Sequence, residues 1–242
     1  MSVLNMLIGP QNSPMSSDLA VRLALVRAQI ARAALASGRD ADSVTLIAVS
    51  KGQSAAAVQA LAQLGTRHFG ESYLQEALPR IQQLAGLELS WHFIGRLQAN
   101  KTRAVAENFS WVHALDRLRI AERLNAQRPD HAPPLNVCLQ VKLAADPRKG
   151  GAAAAQTREL AGAVQTLPRL RLRGLMCMLP DGLSAAGQLA HFREVRQLRD
   201  ELNLSGAQLD TLSMGMSGDY LLAIEAGATL VRIGTALFGP RS

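Results

Sequence analysis

Lysine is scarce in this chain. Of its 26 basic side chains only Lys51, Lys101, Lys142 and Lys149 are lysines. Arginine serves wherever charge alone suffices, so each remaining lysine is a candidate for the chemistry of its amine. Cysteine is as sparse: Cys138 and Cys177 lie far apart in sequence and form no CxxC pair, which leaves no disulfide framework or thiolate metal site and fits a reducing compartment. The five histidines show neither HxH nor HExxH spacing, so a metal centre is not expected. No stretch approaches the ~20 apolar residues of a membrane span. Residues 1–15 have no basic start, apolar segment or small-residue cleavage site and read as a loose tail on a cytoplasmic protein. Aromatics make up only 4% of a chain rich in Ala and Leu, a composition suited to helix packing more than to a β-sandwich core.

The net charge of +7 is carried by arginines scattered over helical patterns. Without a basic stripe or interleaved aromatics, a nucleic-acid partner is not expected. At 242 residues the chain has room for one large α/β domain. From Val44 onward, eight short apolar runs alternate with amphipathic stretches. The runs begin at Val44, Arg67, Trp91, Trp111, Leu135, Leu172, Leu209 and Thr229, and a helical pattern follows each. A series of about eight βα units predicts a single closed (β/α)8 barrel of the TIM type over residues 16–242, since open doubly wound sheets usually stop at five or six strands. Leu19, Leu23, Val26, Ile30 and Ala34 recur at spacings of three and four, so an additional N-terminal helix over about Ser16 to Ser37 precedes the barrel.

In such a barrel the loops after the strands gather at one end and carry the site. Lys51 closes the β-branched run Val44 to Ser50 and therefore stands at that end of the first strand. Apolar surroundings disfavour the ammonium form and free the amine to attack an aldehyde; a lysine that merely snorkels to solvent is the plain alternative. The segments Ser213-Met214-Gly215-Met216-Ser217 and Arg232-Ile233-Gly234-Thr235 follow the seventh and eighth strands. Barrels of this shape bind phosphate in those two loops, through hydroxyls, main-chain amides and helix starts. Ser213, Ser217, Gly234 and Thr235 are read as a phosphate cradle, with Met214 and Gly215 of the same loop among the cofactor-binding residues and ordinary helix capping by Ser217 and Thr235 as the competing account. An aldehyde-seeking lysine facing a phosphate cradle describes pyridoxal 5′-phosphate (PLP). Arg232 then falls beside the cradle, where it would keep the pyridine nitrogen unprotonated; the alternative pairs it with Glu225 on the surface. His92 is read as a satisfied core histidine, and Met176, Met178, Met214 and Met216 as packing around the mouth.

Ala48-Val49-Ser50-Lys51, Phe69-Gly70-Glu71-Ser72-Tyr73, Trp91-His92-Phe93-Ile94-Gly95, Leu97-Gln98-Ala99-Asn100-Lys101, Arg173-Gly174-Leu175-Met176, Leu212-Ser213-Met214-Gly215-Met216-Ser217 and Val231-Arg232-Ile233-Gly234-Thr235 together resemble the pyridoxal phosphate homeostasis protein family, which is similar to the N-terminal barrel of alanine racemase. The resemblance runs in order from about Ser16 to Arg241. It implies a PLP-binding barrel with Lys51 as the Schiff-base lysine, Arg232 near the ring nitrogen, and Ser213, Gly234 and Thr235 near the phosphate. It also implies a carrier or regulator of the cofactor with no established reaction, acting toward apo PLP-dependent enzymes. Two departures stand out. Ser72 occupies a position where the family usually has Asn, and Val141-Lys142 stands where Val-Asn is common, followed by the loop carrying Lys149. Lys142 and Lys149 would bring further amines to the mouth of the site. The runner-up reading is an amino-acid racemase of the alanine-racemase type, which needs a base on each face of the substrate. Tyr73 and Tyr220 are the only internal tyrosines for the second base, and no residues follow to build the separate β-domain that completes alanine racemase. Without that domain a monomer is expected, with a dimer as the alternative.

Overall fold

A computed structural model describes residues 14–143 and 150–239. Eight parallel strands close in sequence order into a barrel: β1 Thr45–Val49, β2 His68–Glu71, β3 Ser90–Phe93, β4 Trp111–Leu115, β5 Leu135–Gln140, β6 Leu170–Met176, β7 Thr211–Ser213 and β8 Leu230–Ile233. The last strand closes on the first, with Thr45 beside Leu230 and Ala48 beside Ile233. The connecting helices are α2 Ala55–Gln63, α3 Leu74–Gln83, α4 Thr102–Asn108, α5 Leu118–Gln127, α6 Ala154–Gln165, α7 Ala185–Leu204, α8 Tyr220–Glu225 and α9 Thr235–Phe238. The (β/α)8 barrel expected from the alternation is therefore the observed fold, and α1 Pro14–Ala36 is the expected extra helix. The expected tail falls almost entirely outside the described residues.

Local chemistry sets the helix starts. Ser54 accepts a hydrogen bond from Ala57 N at 3.2 Å, and Ser184 does the same for Gly187 N, each satisfying one of the amides that a first helical turn leaves unpaired. The helix after β7 begins only at Tyr220, because the Asp219 carboxylate accepts from Met216 N at 2.5 Å and holds the intervening residues in a turn.

Period-two alternation sorts the strand residues into two apolar groups. Phe69, Trp91, Phe93, Val112, Val137, Leu139, Leu175, Leu212, Val231 and Ile233 face the helices and belong to the main core. Ile47, Trp111, Cys138, Met176 and Leu230 form a smaller cluster inside the barrel. All five stripe positions of α1, Leu19, Leu23, Val26, Ile30 and Ala34, are buried, and the helix packs on α2, α8 and α9. Each aliphatic side chain so buried stabilises the fold by about 1.5–3 kcal/mol. Arg39 fastens the following turn to the far end of the chain, donating to Ala228 O at 2.8 Å and Ser43 O at 3.2 Å. The tightest backbone approach lies between β6 and β7, where a Cβ on Gly174 would stand 1.7 Å from Thr211 O.

Candidate functional site

A cavity of about 290 Å³ opens at the C-terminal end of the strands. Lys51, in the turn that leaves β1, lines it together with Ser217, Gly218, Gly234 and Thr235. Val49, Ser72, Ile94, Met178 and Met216 supply further walls, with Arg232 on the floor. Lys51 is half-buried there. The two loops reach this point for different reasons. After β7 the chain turns at Gly215 with φ +94°, and a Cβ there would come within 2.7 Å of the Ala223 methyl, so only glycine lets the loop fold down on α8. After β8 the chain passes directly into α9, and a Cβ on Gly234 would press within 3.3 Å of Val49 O. Among the described residues, the amides of Ser217, Gly218, Thr235 and Ala236 have no main-chain partner, as befits residues at the start of a helical turn. Hydroxyls, open amides and two basic side chains thus converge on one small space, a combination suited to an anion.

The expected cradle is narrower in the structure than in the sequence. Ser217, Gly234 and Thr235 line the cavity; Ser213, Met214 and Gly215 do not. Ser213 is fully buried at the end of β7, and its hydroxyl lies 2.7 Å from both Arg232 Nη1 and His113 Nδ1. Met214 is buried, and its amide continues the sheet by donating to Leu230 O at 3.1 Å. Gly215 O accepts from Arg232 N at 3.0 Å. These three residues support the floor, because a strand end points its residues alternately inward and outward and only the loop beyond it reaches the mouth.

Arg232 is 4% exposed, and its Nη1 donates to Ser213 O and Oγ while Nη2 donates to Cys177 O at 2.8 Å. Among the described residues its Nε has no hydrogen-bond partner, and the side chain faces the cavity. The surface pairing with Glu225 is not found; Glu225 pairs with Arg193. Burial pushes the Cys138 and Cys177 thiols up to about 12, so neither is a reactive thiolate.

Beside Lys51, Ser50 donates to Glu71 Oε1, which also accepts from Arg80. Glu71 is fully buried, and burial raises its pKa against the opposing pull of the Ser50 hydrogen bond and the Arg80 charge. Arg80 also donates to Gln53 O at 2.6 Å, and Glu76 accepts from Gly52 N at 3.0 Å. The turn that presents Lys51 is thereby tied to β2 and α3. In the sequence this brace leaves one trace, Ser50 and Glu71 standing in neighbouring motifs, and nothing in their spacing pairs them. His92 is a satisfied core histidine, 2.9 Å from His113 and 3.0 Å from His68 and stacked on Trp111. Met178 and Met216 line the cavity, whereas Met176 and Met214 are buried beneath it.

Other candidates are not brought into the cavity. Tyr220 donates its hydroxyl to Gln29 on α1, and Tyr73 is 55% exposed outside the cavity wall. Lys142 lines a separate surface cleft between α6 and α7. Lys101 sits in a short 3₁₀ turn, Ala99–Lys101, away from the cavity wall. Lys149 lies outside the described residues.

Fold and site together define a barrel of the alanine racemase N-terminal type: the sequence pattern of that domain, "Alanine racemase, N-terminal domain", matches residues 21–242. A pyridoxal phosphate homeostasis protein of Pseudomonas aeruginosa is 54% identical over 225 residues, covering 93% of this chain and 96% of the relative. One of Escherichia coli K12 is 47% identical over 228 residues, covering 93% and 97%. The solved structure of PipY from Synechococcus elongatus with PLP bound is 40% identical, covers 91% of this chain and all of PipY, and superposes with a TM-score of 0.82. Alanine racemase from Corynebacterium glutamicum shares the fold at a TM-score of 0.69 and 15% identity, with 62% of its length covered. The chain belongs to the pyridoxal phosphate homeostasis protein family.

Proposed function

We propose that this protein binds pyridoxal 5′-phosphate as a Schiff base on Lys51 and holds it in reserve for apo PLP-dependent enzymes. The observation that carries the reading is that Lys51 and the two anion-suited loops at Ser217-Gly218 and Gly234-Thr235 line one cavity of about 290 Å³. The cofactor brings an aldehyde that condenses with an amine. In this assignment Lys51 supplies that amine, Ser217, Gly234 and Thr235 take the phosphate, and the unpaired Nε–H of Arg232 meets the ring nitrogen. Ser213, Met214 and Gly215 act from below by fixing Arg232 and the β7 loop. The PLP-bound PipY structure at 40% identity supports the ligand, and the homeostasis names of the relatives support the role. No helix of the described residues is long and apolar enough to cross a membrane; we assign the protein to the cytoplasm, acting as a monomer.

The racemase alternative needs a second base opposite Lys51. Tyr220 is engaged with α1 and Tyr73 stands outside the cavity, which leaves neither tyrosine placed for it. Borohydride reduction of PLP-loaded protein followed by peptide mapping tests the assignment, with the pyridoxyl label expected on Lys51 and lost in Lys51→Ala. Full cofactor occupancy with Lys51 unmodified would overturn it, and turnover of alanine above that of free PLP would revive the racemase.

A further inference from the structure

Three imidazoles inside the barrel are unused by the cofactor assignment, yet through Ser213 they form one continuous line with Arg232. From the site downward, Arg232 Nη1 lies 2.7 Å from Ser213 Oγ, Ser213 Oγ 2.7 Å from His113 Nδ1, His113 Nε2 2.9 Å from His92 Nδ1, and His92 Nε2 3.0 Å from His68 Nδ1. The line begins on β8, passes through β7, crosses the lumen to β4, and descends through β3 to the first residue of β2. His92, His113, Ser213 and Arg232 are all buried. His68 is half-buried and lines a cleft at the opposite end of the barrel, next to Thr66 and Arg67.

We propose that Ser213, His113, His92 and His68 are positioning residues for Arg232, joined in a hydrogen-bond chain that runs in one direction only. The direction follows from donor counting. A guanidinium has donors and no acceptor, so Ser213 Oγ must accept from Arg232. The Ser213 proton is then directed to His113 Nδ1, the other polar atom at hydrogen-bond distance. His113 accepts there and carries its own proton on Nε2, which it donates to His92 Nδ1. His92 in turn carries its proton on Nε2 and donates it to His68 Nδ1, with Ser90 Oγ a more distant neighbour at 3.5 Å. One obligate donor at the top of the barrel thereby selects the tautomer of three imidazoles below it.

Every dipole in such a chain presents its negative end toward Arg232, and successive bonds polarise one another in the same sense. The chain therefore stabilises the buried guanidinium as a cation and fixes Nη1, leaving Nε–H aimed at the cavity. Protonating His113 or His92 would set two donors face to face and add a second positive charge near Arg232. Burial, joined for His113 by the Arg232 charge and for His92 by its imidazole neighbours, lowers both pKa values, that of His113 to about 3. Both imidazoles are neutral at neutral pH, as the chain requires.

That Arg232 addresses a pyridine nitrogen rests on the cofactor assignment; the chain itself does not. The test is ¹⁵N NMR of histidine-labelled, cofactor-free protein at neutral pH, which distinguishes a protonated ring nitrogen from an accepting one. His68, His92 and His113 are each expected to show an accepting Nδ1 and a protonated Nε2. A protonated Nδ1 on His92 or His113 would overturn the proposal. In Ser213→Ala nothing selects the direction, so His113 and His92 are expected to become tautomer mixtures, and PLP to bind about tenfold more weakly through the loosened Arg232. Unchanged tautomers in that variant would overturn the role of Ser213, and the wild-type measurement stands if the variant fails to fold. The expected tautomers without a pyridoxyl label on Lys51 would support the chain and refute the cofactor assignment. Reversed tautomers with Lys51 labelled would do the opposite.

Discussion

Lowering the pH from about 7.5 to about 5 is expected to destabilise this fold by about 2 kcal/mol through the buried His113 imidazole alone. Desolvation, with the Arg232 charge behind it, lowers the pKa of His113 from 6.5 to about 3, and His92 is likewise held well below its ordinary value. The folded protein therefore leaves His113 unprotonated through mildly acidic pH and disfavours the proton on His92, while the unfolded chain binds one at each near pH 6.5. Where the unfolded state holds more protons, stability rises with pH. The stability set by His113 is thus complete above about pH 7 and is lost as pH falls from 6.5 toward 3. At about 1.5 pH units below the unfolded value the loss is about 1.5 × 1.36, or about 2 kcal/mol for His113. That loss is to be set against a typical total of about 5–15 kcal/mol, and His92, shifted in the same direction by burial, adds to it. Glu71 works in the opposite sense: its raised pKa adds stability as pH falls through the window just above the usual carboxylate value, offsetting part of the loss. Urea unfolding at several pH values between about 7.5 and 5 reads the effect directly. His113→Gln removes one titrating group and is expected to lower the slope of unfolding free energy against pH, whatever the variant costs in absolute stability. Equal unfolding free energies at the two pH extremes, or an unaltered slope in the variant, would refute the reasoning.

Three further outcomes are expected. Gly174→Ala sets a methyl group 1.7 Å from Thr211 O on the neighbouring strand; backbone cannot yield as a side chain does, so a loss of about 3 kcal/mol or more, or failure to fold, should appear in thermal melts followed by circular dichroism, and a wild-type Tm would refute the β6–β7 approach. Arg80→Met strands the buried Glu71 carboxylate with Ser50 alone and is expected to cost about 3–5 kcal/mol, while Glu71→Gln with Arg80→Met should recover most of it; additive losses in the double variant would show that the pair does not act as one. Thr235→Ala and Ser217→Ala are each expected to weaken PLP about tenfold with little change for pyridoxal, and an equal loss for both ligands in equilibrium titration would place the phosphate elsewhere.

The sequence by itself determined the architecture. Alternation of β-branched runs with amphipathic stretches is a local signal, repeated eight times, and each strand and helix lies within a few residues of where that signal puts it. The same locality made Lys51, Ser217, Arg232, Gly234 and Thr235 legible, because position after a strand fixes which end of a barrel a residue occupies. What only the tertiary structure decided is how these residues are supported. Ser213, read as part of the cradle, is a buried prop under Arg232; Glu71, one letter of a motif, is the anchor of the Lys51 turn; His113 drew no attention beyond the search for metal spacing and stands midway in a line crossing the lumen. Their partners lie 100, 9 and 21 residues away in sequence, and whether such groups meet depends on the register of closure and on which face of each strand turns inward. Closure brings β8 back against β1, and that step, not any local pattern, gathers the lysine, the phosphate-suited loops and Arg232 around one cavity.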